Sequence, residues 1–338
     1  MTGSRYLLSL LLLKVSLATA WPARAEIDPE VLTPVPIVQD ARLEIRTPQG
    51  TGVMPVHLTR DWATPQPSVE RAVIVIHGWP RRDLRAGEFA ASKAGEAAGH
   101  TMIITPQFLI QADIEAHQLP NETLRWGPRD WAIGIDATEP AAISSFDVLD
   151  AILNRLIDRR TFPSLRDIVI AGHSAGGRFV QRYAAVGHGP APAGIHLRYV
   201  VANPSDYLYL DDARPLEPQP GCGTVGRWGY GLGDVPRYVH RPVNPATLRA
   251  EYIAKDIVYL LGTADDDPHH PQLDQTCGAQ AQGATRLQRG LNYVRMLSPG
   301  PRQTLLKVPG IGHRSSPMLG SACGVFALFG AGSCEVAH

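Results

Sequence analysis

The chain has 338 residues, 44% of them hydrophobic, which suits one large α/β domain with insertions or two modest domains. Its 32 basic residues balance 32 acidic ones, and no basic run exceeds Arg81-Arg82 or Arg159-Arg160. That balance, without aromatics interleaved among basic groups, speaks against nucleic acid as a partner.

The first element in chain order reads as an export signal. Arg5 precedes the apolar stretch "YLLSLLLL" (6–13), and two small-residue cleavage patterns follow, "ATA" (18–20) and "ARA" (23–25). Residues 1–25 are therefore expected to be a signal peptide cleaved after Ala25, with 26–338 as the mature domain. No later segment reaches the roughly 18–20 apolar residues of a membrane span, so a secreted or periplasmic protein with no stable membrane anchor is expected. The chain has four cysteines: Cys222, Cys277, Cys323 and Cys334. An even number in an exported chain implies disulfides, and four allow three pairings. Cys222–Cys277 with Cys323–Cys334 is preferred, because the second bond closes a short C-terminal loop. No C-x2-C spacing suggests a thiolate metal site.

A Pro-rich start leads to "ARLEIRT" (41–47) and "MPVHLTRD" (54–61), the two strands of an expected hairpin. "RAVIVIHGW" (71–79) is a continuous apolar run ending at a glycine, as in a buried parallel strand. A helix is expected over 88–99 and a strand over 101–108. Residues 109–139 hold two tryptophans and several Pro and Gly, and read as an irregular insertion. A strongly amphipathic helix spans 141–160. "LRDIVIAG" (165–172) is a strand and "AGGRFVQRYAAVG" (175–187) a helix. Strands are expected at 197–203, 255–263 and 303–310, with a mostly helical stretch at 274–297. Between them, about 204–250, lies a Pro-, Gly- and Tyr-rich stretch with little periodicity. Strand and helix alternate from 71 to 310, which means a mostly parallel sheet with helices on both faces.

Sites in such sheets form beyond the carboxyl ends of the strands. Four strand ends carry His77-Gly78-Trp79, Gly172-His173-Ser174-Ala175-Gly176, Gly262-Thr263-Ala264-Asp265 and Gly310-Ile311-Gly312-His313. A serine hydroxyl is a weak nucleophile unless a base takes its proton. A histidine can take and return that proton, and a carboxylate can hold the imidazole in the required tautomer. Ser174, His313 and Asp265 are the candidates, with Asp266 as the runner-up in the run Asp265-Asp266-Asp267. Gly172 and Gly176 would let the chain turn sharply from strand to helix. The backbone N–H groups of Ala175 and Trp79 are candidate donors to an oxyanion. His173 is read as part of the turn, and His77 as support for the loop that follows it. "DDDPHH" (265–270) could instead gather His269 and His270 as metal ligands; the turn-and-acid reading is preferred, so neither metal nor cofactor is expected.

The order Ser…Asp…His, with "VIVIHGW", "GHSAGG", "LLGTADDD" and "VPGIGH", resembles the α/β-hydrolase fold superfamily over roughly residues 70–320. Further wording resembles a group of secreted, poorly characterised bacterial and fungal serine hydrolases: "ITPQF", "FDVLDAIL", "NPSDYLYLDDARP", "RWGYGL" and "AQGATRLQRG". The resemblance implies an α/β-hydrolase fold, Ser174 as nucleophile, Asp265 as acid, His313 as base, and Trp79 and Ala175 as oxyanion donors. It implies no particular substrate. "HGWP" lacks the additional glycines of the HGGG type, which speaks against bulky tertiary-alcohol esters. Where these folds place a cap over the site, this chain has the stretch about 204–250 with Tyr207, Tyr209, Trp228, Tyr230 and Tyr238. Those aromatics either bind an apolar group or pack the cap onto the sheet, and a Cys222–Cys277 bond would pin the cap beside the acid.

The expected function is a secreted hydrolase of carboxylic esters, on a small-molecule or polymer substrate, as a monomer or homodimer. A peptidase or amidase of the same fold is the alternative, with Arg178, Asp206, Asp211 or Asp212 as a charged anchor for a peptide terminus. A binding protein that kept the fold without turnover would be expected to have lost one of the three residues.

Overall fold

A computed structural model describes residues 28–190, 194–240 and 243–334. The expected signal peptide, 1–25, lies outside the described residues. After a short helix α1 (Pro29–Leu32), the hairpin strands β1 (Ala41–Thr47) and β2 (Gly50–Leu58) pair in register, Thr47 opposite Gly50. Next come β3 (Arg71–Ile76), α2 (Ala86–Ala94), β4 (Thr101–Pro106), α3 (Gln111–His117), α4 (Ser145–Leu156), β5 (Asp167–His173), α5 (Ala175–Val186) and β6 (His196–Ala202). The chain continues through α6 (Pro245–Ile253), β7 (Asp256–Gly262), α7 (Cys277–Gln280), α8 (Arg286–Leu297), β8 (Gln303–Val308), α9 (Ser315–Leu319) and α10 (Ala322–Phe329).

The eight strands form one sheet in the order β1-β2-β4-β3-β5-β6-β7-β8. The pairs β1–β2 and β2–β4 are antiparallel and the rest parallel. The central strands are apolar along their whole length because both faces are covered. Ala72, Ile74 and Ile76 of β3 point into the core shared with α4, α5, α6 and α8, whereas Val73 and Val75 face the core under α2, α9 and α10. Residues of β5 divide the same way, Ile168 and Ile170 against Val169 and Ala171. This is the two-residue period of a strand serving two helical layers. α4 begins where Ser144 accepts the Phe146 N–H and the Asp147 carboxylate accepts the Ser144 N–H, a reciprocal cap.

Several expectations need correction. The region 109–139 is not wholly irregular: it contains α3, ending at Gln118 in a left-handed conformation, and a 3-10 turn at Asp130–Ile133. The helix expected over 274–297 is two, α7 and α8, parted at Gly283, whose φ of +147° a side-chain-bearing residue rarely adopts. α9 and α10 after β8 were not expected at all. They close the second core with Met318, Leu319 and Leu328.

The stretch expected to act as a cap, about 204–250, is a packed wall from Pro204 to His240, and α6 takes up its end. Tyr207, Tyr209, Trp228 and Tyr238 are buried in the core. Tyr207 stacks on Tyr293 at 4.4 Å, and the Trp228 indole N–H donates to the Ile133 carbonyl at 2.7 Å. Two side-chain amides replace a neighbouring strand. Gln282 accepts from the Tyr207 N–H at 2.8 Å and donates to the Tyr207 carbonyl at 2.9 Å. Gln181 does the same for Leu208, at 3.1 and 3.2 Å. Buried backbone without a sheet partner must find such groups.

Cys222 bonds to Cys277, and Cys323 to Cys334, the preferred pairing. The first bond closes a loop of 55 residues that ties the wall to α7. On a chain-entropy account it contributes about 4 kcal/mol. The double variant Cys222→Ser/Cys277→Ser is therefore expected to unfold at distinctly lower denaturant. An unchanged midpoint in urea would show that the wall is held by its core contacts alone.

Candidate active site

Ser174 stands between β5 and α5 with φ +59° and ψ −121°, a conformation few side-chain-bearing residues adopt. The surrounding chain leaves no alternative. A Cβ on Gly172 would lie 2.2 Å from the Gly176 carbonyl oxygen, and one on Gly176 would lie 2.0 Å from that of Ile76. The Ser174 N–H donates to Ala202 of β6 at 2.9 Å, and its carbonyl accepts from Arg178 at 3.0 Å. The hydroxyl therefore projects at the carboxyl edge of the sheet. Ala175 is the first residue of α5, where backbone N–H groups have no partner within the helix.

Asp265 follows β7 and His313 follows β8. Their loops are joined to each other: Thr263 donates to Val308, Ala264 to Ile311, and Gly310 to the Thr263 hydroxyl, at 3.0, 3.0 and 2.8 Å. His313 Nδ1 lies 2.7 Å from Asp265 Oδ2, and its Nε2 lies 2.9 Å from Ser174 Oγ. With a carboxylate on Nδ1, the proton sits there and Nε2 is free to accept from the serine. The acid runner-up, Asp266, is exposed and turned to solvent. His269 is exposed too, while the His270 ring stands 5.0 Å from that of His313. Among the described residues no three His, Cys, Asp or Glu gather as they would around a metal ion.

The second oxygen of Asp265 faces Arg286 of α8, 3.4 Å away and fully buried. Sequence reasoning assigned Arg286 no role, although it lies within "AQGATRLQRG". Burial raises the Asp265 carboxyl above its ordinary value and Arg286 opposes that. Burial, with Arg286 and His270 nearby, holds the His313 imidazole well below the ordinary histidine range. His173, buried with its ring 4.6 Å from that of His313, is likewise held low by desolvation.

His77 anchors the loop opposite Ser174. Its Nδ1 donates to the Gly78 carbonyl at 2.8 Å, and its Nε2 accepts from the Phe108 N–H at 3.0 Å. That pattern requires a neutral ring, and burial pushes its pKa down to about 4. The loop runs past the hydroxyl: Ser174 Cβ is the nearest atom to where a Gly78 side chain would begin, at 3.8 Å. The Trp79 side chain is buried between the Arg129 and Arg178 guanidiniums.

These residues meet at a pocket of about 400 Å³ lined by Gly78, Pro80, Ser174, Gln272, His313 and Ser316, among others. None of the described residues of 204–250 lines it. Asp83 closes one side, accepting from the Ser315 and Ser316 hydroxyls at the start of α9. Asp83, Gln272 and Arg314 carried no recognisable signal in the sequence.

No family model and no curated protein matches the chain. Solved structures resemble it. A poly(aspartic acid) hydrolase-1 from Sphingomonas sp. KT-1 is 24% identical with a TM-score of 0.57, over 84% of this chain and 96% of that one. LpqC, a poly(3-hydroxybutyrate) depolymerase from Bordetella parapertussis, is 20% identical with a TM-score of 0.58, over 87% of this chain and 91% of that one. At those identities the likeness is one of fold, and the fold of this chain is that of the α/β-hydrolases.

Proposed function

We propose that the chain is a serine hydrolase that cleaves carboxylic esters through an acyl-enzyme. The observation that carries this reading is the continuous line Asp265–His313–Ser174, with contacts of 2.7 and 2.9 Å. Ser174 attacks the carbonyl carbon as His313 Nε2 takes its proton. The tetrahedral oxyanion accepts from the Ala175 and Trp79 N–H groups. His313 then gives its proton to the departing alcohol, and the acyl group remains on Ser174. Water, activated by the same imidazole, releases the acid and restores the serine. Asp265 stays ionised throughout, holding the tautomer and stabilising the imidazolium. No cofactor enters this scheme.

Against a peptidase stands the placing of the anchors expected for one. Arg178 and Asp206 are buried against each other at 2.9 Å, and the charged groups that line the pocket are Arg82, Asp83 and Arg314 instead. Asp211 and Asp212 are exposed and outside the pocket. Of the two similar structures, one is named for a polyester and the other for a polyamide, and an ester substrate of either small or polymeric size is compatible with the first. Two disulfides support an exported location. Among the described residues no helix is long and apolar enough to cross a membrane.

A fluorophosphonate should label the protein once, on Ser174, and Ser174→Ala should abolish both label and turnover of p-nitrophenyl esters. Labelling elsewhere, or turnover surviving in the variant, would sink the assignment. Asp265→Asn is expected to lower kcat by about 10⁴-fold through loss of the tautomer. Asp266→Asn should change it little, and the reverse ranking would move the acid to Asp266. Turnover requires neutral His313, and protonation removes the base as pH falls through its depressed pKa. The rate of kcat/KM should thus be flat across neutrality and fall only below about pH 6.5. An acid limb centred above that value, in a pH–rate profile, would contradict the burial argument.

A further inference from the structure

Beside the triad pocket lies a larger cavity, of about 830 Å³, that the chemistry above leaves unused. One wall is the segment 34–40, the other is 81–85, and His57 lies at the bottom. Arg82 and Asp83 line both this cavity and the triad pocket, so the two adjoin at these residues. The lining is mainly apolar: Pro34, Val35, Pro36, Ile37, Val38 and Leu84.

The wall at 34–40 belongs to no helix or strand, yet it is firmly held. The Val35 N–H donates to Asp113 Oδ1 and the Val38 N–H to Gln107 Oε1, each at 3.0 Å. Gln107 Nε2 donates to the Pro36 carbonyl, and His117 Nε2 to that of Val35, both at 2.8 Å. Behind these stands a fully buried pair, Arg81 Nε and Asp113 Oδ2 at 2.9 Å, with Arg81 also donating to the Val31 and Thr33 carbonyls. Arg81 itself has φ +55°. A buried ion pair and a strained arginine both cost free energy. Here they fix the wall of a groove next to the triad pocket.

Three charged groups at the junction are already matched. Arg82 meets Glu30 at 2.8 Å, and Asp83 holds the α9 serines. His57 has Asp40 on one ring nitrogen and Glu88 on the other, each at 2.8 Å. A neutral chain can therefore cross between the cavities past paired charges, with Arg85, 3.6 Å from Glu88, at the edge of the groove and Arg314 in the triad pocket.

We propose that this groove binds the aliphatic chain of an extended ester substrate, the part remote from the bond being cleaved. The proposal rests on the ester-hydrolase reading and assigns its substrate class: long, neutral and apolar rather than short or charged. Binding energy gathered away from the reacting bond is then available to raise kcat/KM with chain length.

The test uses methyl-capped oligomers of ω-hydroxyhexanoic acid, from monomer to tetramer, with p-nitrophenyl acetate as the short reference. In the wild-type protein the ratio of oligomer to acetate kcat/KM should rise about ten-fold along the series. Ile37→Asp and Leu84→Asp, each checked for an unchanged unfolding midpoint, should flatten that rise. A flat series in the wild type, or a full rise in both variants, would overturn the proposal. The same oligomers are also titrated calorimetrically into Ser174→Ala protein. Tetramer affinity that drops about ten-fold when Ile37→Asp is added supports the groove even if no ester is cleaved, which would count against the hydrolase reading alone. Tetramer affinity unmoved by the added charge overturns the groove while leaving Ser174 labelling and acetate turnover to speak for the chemistry.

Discussion

The site depends on how closely the start of α5 approaches the end of β3. The Ile76 carbonyl sits where a side chain at Gly176 would begin. Only glycine permits that approach, and the approach forces the chain through a sharp turn, leaving Ser174 at φ +59°. The strained residue is held by its neighbours on both sides: β6 accepts its N–H and α5 donates to its carbonyl. The same turn starts α5 at Ala175, directly after the serine, and leaves Gly78 close to the Ser174 side chain.

Charge organises the layer beneath. Arg178 and Arg182 converge on Asp206, Arg178 also faces Asp274 at 3.9 Å, and Arg286 supports Asp265. All of these groups are buried. Removing one member would leave another desolvated and unpaired, which is more damaging than the net worth of any pair. The network links α5, α8 and the wall at 204–240, and Asp274 adds the Tyr230 hydroxyl at 2.6 Å. A segment with no regular secondary structure is thereby tied to the helices beneath it. This explains why its tyrosines and Trp228 serve the core rather than the pocket.

The exposed ground near Ser174 comes instead from the loop after β3 and from α9, whose serines hold Asp83, with the segment 34–40 walling the adjoining cavity. The loop anchored by neutral His77 and buried Arg81 runs between the two cavities.

Much of the architecture was legible in the residues. Apolar runs such as "RAVIVI" and "DIVIAG" imply strands covered on both faces, because an exposed face would alternate with polar residues. Glycines two places either side of Ser174 imply a turn too tight for side chains. In the run Asp265-Asp266-Asp267 the spacing from Gly262 favours Asp265 over Asp266 but does not place its side chain. Consecutive residues point in different directions, and only the packing of the β7 and β8 loops against each other turns Asp265 inward. Arg286 reaches that carboxylate across 21 residues, and Ser174 meets His313 across 139. The sequence by itself determined which segments are strands, the serine's turn and the parity of the cysteines, since these follow from neighbours along the chain. The tertiary structure alone decided the order of strands in the sheet, that Arg286 backs the acid, where the aromatics of 204–240 go, and that the N-terminal segment walls a groove. Those outcomes depend on contacts between distant residues, and no local pattern encodes them.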